Sequence, residues 1–285
     1  MSARILSGRT VANALVDELR AEVERLPVAP RLVFVRASDD PASASYVRSK
    51  ARLASKAGVR NETRHLPESV RQEELIAVVE ELNADDDVDG ILVQLPLHAH
   101  LDPEPVLTAV LPAKDVDGLH PVNVGRLWTD RPGPVPATPA GLLRICDHYE
   151  VPLEGKEIVI VGRSALVGKP AAALFLRRHA TVTVAHSRTR DLKAHLRRAD
   201  LIVAAAGRPG MIGPDAVAPG AVVLDVGQAP VDGVLRGDVD PAVADVAAAL
   251  TPTPGGTGPM TVAMVVANTV AAARARRGDG GGPAR

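Results

Sequence analysis

Apolar positions recur along this chain at two spacings, every third or fourth residue in some stretches and unbroken over four to six residues in others. Val11, Leu15, Leu19 and Val23 predict an amphipathic helix over 8–26. The run Arg31-Leu32-Val33-Phe34-Val35 predicts a short strand, followed by a helix that starts at Pro41, carries Tyr46 and Lys50, and ends at Gly58. Leu75, Ile76, Val79 and Leu82 mark a helix over 69–83, and Gly90-Ile91-Leu92-Val93-Gln94-Leu95 reads as a buried strand. Strands alternating with helices imply parallel βα units rather than a sandwich.

From 112 to 139 the pattern breaks into proline, glycine and turn residues, with Pro132, Pro134, Pro136 and Pro139 crowding its end as in a stiff linker. Thr138-Pro139 then supplies a capping hydroxyl and a first-turn proline. A second alternating series follows, with strands near 157–161, 181–185, 201–205 and 221–226 and a last helix over the apolar stretch 260–273. The expected organisation is α/β with two domains and an active-site cleft between them. Residues 1–137 form a catalytic domain, completed by a C-terminal helix over 260–277. Residues 138–259 form a Rossmann-like parallel sheet, and 278–285 a disordered tail.

Composition narrows the chemistry. Aromatic residues are 2% of 285, so cores must be built from Val, Leu, Ile and Ala, and base-stacking nucleic-acid sites are disfavoured. A net charge of −1 argues against a nucleic-acid or membrane partner held by bulk charge. A single cysteine, Cys146, excludes an intramolecular disulfide and a cysteine-based metal cluster. His98 and His100 have no third ligand nearby, and Asp85-Asp86-Asp87 reads as a solvated loop, so no metal site is expected. The opening residues hold no apolar signal core and no run reaches membrane-spanning length, which makes the cytoplasm the expected compartment.

Six segments carry candidate chemistry. Tyr46 and Lys50 lie four apart, on one helical face. The chain uses six lysines against twenty-seven arginines, and lysine, unlike arginine, can lose its proton when desolvated. The competing reading is a solvated i,i+4 pair. Gln94 closes an apolar strand, where it could equally tie down backbone. Asp117 lies in Lys114-Asp115-Val116-Asp117-Gly118, whose Asp-Gly pair turn chemistry alone explains.

Strand, glycine turn and helix follow one another in Glu157–Pro170, which aims backbone N–H groups at a phosphate through Gly162, Arg163, Ser164 and Gly168. Ser164 stands where a second glycine is usual, and Pro170 rules out a P-loop. The next strand ends in His186-Ser187-Arg188-Thr189. Ser187 and Arg188, with no carboxylate, suit a ribose 2′-phosphate and hence NADP; a merely solvated Arg188 is the alternative. Gly255, Gly256, Gly258 and Pro259 let backbone approach a flat ligand closely, or else form a rigid turn.

Taken together, DPAS-x2-YV-x2-K, GILVQLPL, KDVDG-x-HP-x-NVGRL, LEGK-x3-IVGRS-x2-VGKP, GDVD and TPTPGG-x-GPMT, in this order from about residue 5 to 272, resemble the bifunctional methylenetetrahydrofolate dehydrogenase/methenyltetrahydrofolate cyclohydrolase (FolD) family. The resemblance implies hydride transfer from 5,10-methylenetetrahydrofolate to NADP⁺, then hydrolysis of the methenyl cation to 10-formyltetrahydrofolate, by a homodimer. It makes Lys50 the proton-transfer group, oriented by Tyr46 and Gln94, and pairs Asp117 with the pterin. Gln228 becomes a cofactor contact, and Gly255, Gly256, Gly258 and Pro259 join the folate site.

Five positions depart from the family pattern: Ser7, Ala137, Gln228-Ala229 and Thr257. Thr257 is expected to alter the surface beside the ligands, and the change at Gln228 puts its cofactor contact in question. Two alternatives remain, a shikimate- or amino-acid-dehydrogenase-like enzyme and a folate- or nucleotide-binding protein without catalysis. A short-chain dehydrogenase is rejected because Tyr46-x3-Lys50 precedes Gly162 instead of following it.

Overall fold

The computed structural model describes residues 2–278. The expected tail 278–285 therefore lies outside the described residues, apart from Gly278. In chain order the elements are β1 (Arg4–Ile5), α1 (Gly8–Val23), β2 (Arg31–Arg36), α2 (Pro41–Lys56), β3 (Arg60–His65), α3 (Gln72–Ala84), β4 (Gly90–Val93), α4 (Pro103–Ala109), α5 (Pro121–Trp128) and α6 (Ala137–His148). There follow β5 (Glu157–Val161), α7 (Gly168–Arg177), β6 (Thr181–Ala185), α8 (Leu192–Leu196), β7 (Leu201–Ala204), β8 (Val222–Asp225), β9 (Ala229–Val231), β10 (Val234–Arg236), β11 (Ala249–Leu250) and α9 (Thr257–Arg277).

The chain divides into two compact units, each discontinuous in sequence. One comprises residues 1–13 and 138–261, the other 14–137 and 262–285. The first holds a six-stranded parallel sheet in the order β1-β11-β8-β7-β5-β6 and a small antiparallel pair, β9 and β10. β5 and β7 are buried on both faces, as parallel strands covered by helices must be. The second unit holds a three-stranded parallel sheet, β3-β2-β4. Its core is aliphatic, around Val33, Val35, Leu75, Val79 and Ile91, and the chain's two phenylalanines, Phe34 and Phe175, are both fully buried.

The structure amends the sequence reading in several places. The stretch 112–139 is not linker throughout, because α5 forms within it: Pro121 occupies its first turn and the His120 ring caps the Val122 N–H at 3.1 Å. α4 begins similarly under Asp102, which accepts from Glu104 N. β3, Arg-Asn-Glu-Thr-Arg-His, has no apolar pattern because it is an exposed edge, and charge is what keeps such an edge from pairing with other chains. Asp87 is not simply solvated. It bonds Arg60 and Arg31, which hold its carboxyl down at about 2.

The last turn of α9 is clasped to the start of β4. Asp89, fully buried, accepts from Arg276 Nη1 at 3.2 Å, Arg277 Nη2 at 2.6 Å and the Arg31 amide at 2.9 Å. Asn268 of the same helix donates to the Val116 and Val135 carbonyls, just before and after the segment that bears Asp117. No helix among the described residues is long and apolar enough to cross a membrane.

Candidate active site

Lys50 is placed by the start of α2. Asp40 caps the helix, accepting from Ala42 N at 3.1 Å and Ser43 N at 2.9 Å, and Pro41 pre-sets the first turn. The resulting phase turns Ser43, Val47, Lys50 and Ala54 inward as one stripe. Lys50 Nζ donates to Gln94 Oε1 at 3.0 Å, and Gln94 Nε2 donates to the Leu95 carbonyl at 2.6 Å, so the amide is fixed with its oxygen toward the amine. Gln94 thus orients Lys50. Tyr46, one turn earlier, is half exposed and makes no hydrogen bond to Lys50 among the described residues.

Burial pushes the Lys50 ammonium below the ordinary lysine value, and the Asp117 charge opposes that shift. Burial likewise raises the Asp117 carboxyl, with Lys50 pulling it down and Asp115 pushing it further up. Burial thus shifts both groups toward their neutral forms, and each group's charge opposes the other's shift.

The backbone that carries Asp117 is held by residues the motif reading left without a role. The Asp115 carboxylate accepts from Gly118 N at 2.9 Å, His120 N at 2.8 Å and Asn123 Nδ2 at 2.9 Å. Lys114 is buried and donates to the Leu82, Asn83 and Asp85 carbonyls, where a cation meets the negative end of α3. Gly118 sits at φ 73°, and a Cβ there would lie 2.5 Å from the Val135–Pro136 backbone. The strict burial of Lys114 and Asp115 beside Val116 is the signal that sequence spacing could not supply.

In the other unit, Gly162 follows β5 at φ 130°. A Cβ there would stand 2.1 Å from the Ala205 carbonyl oxygen, and one at Gly168 would stand 2.2 Å from Gly162 O. Only glycine permits this turn. Ser164 Oγ accepts from Val167 N at 3.1 Å, tying the loop to the start of α7. Arg163, Ser164, Ser187 and Arg188 are exposed at the carboxyl ends of β5 and β6, and Gln228 is partly buried after β8. Two side-chain-free turns, a helix start and exposed hydroxyl and guanidinium groups fit a phosphorylated dinucleotide.

Gly255, Gly258 and Pro259 are partly exposed, and Gly255 has open space where a Cβ would point. Gly256 is buried, with its carbonyl 1.8 Å from where a Cβ on Gly8 would lie, so this pair of glycines serves internal packing. Thr257 is 3% exposed and its hydroxyl donates to the Asp225 carbonyl at 3.1 Å. It therefore faces inward, and the expectation that it alters the ligand-side surface does not hold. Folded burial raises the Asp225 carboxyl to about 6, above the unfolded value near ~3.9. A raised carboxyl stabilises the fold only while protonated. The stability of wild type relative to Asp225→Asn is thus expected to fall by about 3 kcal/mol between pH 4 and 6 and to level off above, as read by urea unfolding at each pH.

A doubly wound nucleotide-binding sheet in one unit and a buried lysine–amide pair in the other define a dinucleotide-dependent α/β enzyme. Residues 6–117 match the tetrahydrofolate dehydrogenase/cyclohydrolase catalytic domain, and residues 136–277 the NAD(P)-binding domain of the same family. The chain belongs to that family and is an enzyme with both activities. It is 52% identical over 277 residues to the bifunctional protein FolD of Thermus thermophilus, covering 97% of this chain and 98% of that one. Its fold matches the crystal structure of the bifunctional FolD enzyme from Campylobacter jejuni with a TM-score of 0.95 at 40% identity, over 96% of this chain and all of that one. The Trypanosoma brucei FolD structure, complexed with NADP cofactor and an inhibitor, gives 0.91 at 38%, over 97% and 99%.

Proposed function

We propose that this chain oxidises 5,10-methylenetetrahydrofolate with NADP⁺ and hydrolyses the resulting 5,10-methenyl cation to 10-formyltetrahydrofolate, with Lys50 moving the protons of the second step. The observation that carries this reading is the buried Lys50–Gln94 bond in a chain of this family.

When bound, NADP⁺ supplies the hydride acceptor. Gly162, Arg163, Ser164 and Gly168 would hold its phosphates, Ser187 and Arg188 its 2′-phosphate, and Gln228 a further contact. No carboxylate stands among residues 186–190 directly after β6, and Asp191 beyond them caps α8, which favours NADP⁺ over NAD⁺.

The hydride step needs no acid or base, because the folate nitrogens stabilise the cation, so the chain's contribution there is to hold the pterin in register. Asp117 does this by accepting from pterin N–H groups. Water then adds to the cation, the bond from its carbon to N5 breaks as N5 takes a proton, and the added water must give up a proton. Lys50, with its ordinary pKa lowered by burial, offers a neutral amine for that proton at a lower pH than a surface lysine could. Gln94 Oε1 keeps the amine in place, and Tyr46, half exposed one turn before Lys50, forms part of the folate wall.

We also assign the enzyme to the cytoplasm as a homodimer, on the family resemblance, which sedimentation at micromolar concentration checks. Absorbance at the methenyl-folate band, with methylenetetrahydrofolate and NADP⁺ or NAD⁺ in parallel, tests the main reading. NADPH formation with little methenyl build-up supports it, and no reduction of either cofactor overturns it.

A further inference from the structure

We propose that Asp238 and Asp225 form a two-carboxylate strut that positions the loops bordering the nicotinamide half of the cofactor site, which makes both of them positioning residues for the dehydrogenase step. The inference rests on the NADP reading above and deepens it.

The sheet order places β5 between β6 and β7, so the chain reverses its winding there. Ligands of open α/β sheets bind beyond the strand carboxyl ends at such a switch point. The phosphate turn at Gly162 meets the loop after β7 backbone to backbone, since a Cβ on Gly162 would lie 2.1 Å from Ala205 O. Ser187 and Arg188 lie beyond β6, on the adenosine side. The loops after β7 and β8 consequently flank the opposite, nicotinamide side.

Those loops are held from beneath by carboxylates. Asp238 accepts from Ala206 N at 2.6 Å, Gly207 N at 3.0 Å and Arg208 N at 2.5 Å. Converging backbone N–H groups of this kind form a nest that attracts an anion. Here the protein's own carboxylate fills it, so the nest is spent on fixing the loop rather than on binding phosphate. Asp225, at the end of β8, accepts in turn from Asp238 N at 3.1 Å and Val239 N at 3.2 Å. Gly227 lies over Asp238 so closely that a Cβ would meet its carboxyl carbon at 2.1 Å, and a Cβ on Gly237 would meet Asp225 Oδ2 at 1.8 Å. Asp238 is 1% and Asp225 4% exposed. Burying two carboxylates together is costly, and the strut returns that cost as fixed loop geometry. The GDVD motif, which the proposed chemistry does not use, thereby acquires a task.

Two measurements test this. In wild-type protein without ligand, hydrogen exchange should find the amides of 206–208 already protected. If protection appears only after NADP⁺ is added, the loops are not pre-set and the proposal fails. In Asp238→Asn, calorimetric titration should show NADP⁺ binding about tenfold weaker, with the KM for NADP⁺ raised to match. The KM for methenyltetrahydrofolate in the cofactor-free hydrolysis assay should stay within twofold. Equal weakening of both would mean general damage, and NADP⁺ binding within twofold of wild type would mean no strut; either overturns the proposal. Wild type run alongside separates the two readings, because its failure to reduce NADP⁺ would remove the dehydrogenase assignment itself. Should Asp238→Asn not fold, the exchange measurement on wild type still decides.

Discussion

Replacing Lys50 by methionine is expected to lower methenyltetrahydrofolate hydrolysis by at least about 10³-fold while folate binding persists. Methionine keeps the length and apolar stem of the side chain, so the stripe of Ser43, Val47 and Ala54 on α2 keeps its packing. What disappears is the amine held at Gln94. Lys50→Arg should lose nearly as much, since a guanidinium restores charge but cannot surrender its proton. In wild type the hydrolysis rate should rise with pH and level off below the ordinary lysine value near ~10.4, because burial lowers the Lys50 pKa. That limb should vanish in both variants. Stopped-flow decay of the methenyl absorbance, with folate affinity read by fluorescence quenching, makes the comparison. Hydrolysis at the wild-type rate in Lys50→Met would remove Lys50 from the mechanism.

The second large effect is expected at Gly162, where alanine should weaken NADP⁺ binding by roughly 100-fold, about 3 kcal/mol. Two costs combine there. The φ of 130° is strained for any residue with a side chain, and the new methyl would stand 2.1 Å from the Ala205 oxygen, which forces backbone to move. Gly155→Ala isolates the first cost: its φ is 71°, but nothing lies within 4 Å of the added carbon. It should leave NADP⁺ affinity within twofold and lower only stability, by about 1 kcal/mol. Titration of both variants with NADP⁺, next to hydrolysis of supplied methenyltetrahydrofolate, tests the pair. Gly162→Ala binding NADP⁺ as tightly as wild type would show that the turn tolerates a side chain.

Much of this architecture is legible in the chain because burial on both faces leaves an unbroken apolar run. β2, β4, β5, β7 and β8 all announce themselves in that way. β3 and the β9–β10 hairpin do not, since exposed strands carry no such run, and the hairpin turns on Asp232-Gly233 with both residues at positive φ. α5 hides in a proline-rich stretch because its start depends on a histidine ring acting as cap, an uncommon choice.

The site divides along the same line. Lys50, Gln94 and Asp117 stand out by residue type, and the glycine turn by its place after a strand. Lys114 and Asp238 do not, because their partners are backbone groups of segments distant in sequence, and no local pattern records a carbonyl or amide waiting for a side chain; Asp115 does not, because its bonds to the Gly118 and His120 amides are what any turn-forming aspartate would make. Tyr46 looked like the natural partner of Lys50 from helical spacing alone, yet the bond goes to Gln94, which tertiary structure brings from 44 residues away.

The interleaving of the two units also sets a schedule for the chain's own synthesis. Residues 14–137 leave the ribosome well before 262–285, the stretch that completes their unit and supplies the arginines that clasp Asp89. At about 5–20 residues per second, the delay between Ala137 and Val262 is on the order of 6–25 s. Throughout that interval the lysine-bearing unit exists without its last helix, its buried aspartate lacking both cations, while the nucleotide-binding sheet is assembled in between. The unit that bears Lys50 is therefore the last to receive all of its residues, and chains halted before residue 262 are expected to bind chaperones more than full-length chains do, as pull-down of stalled ribosome complexes would read.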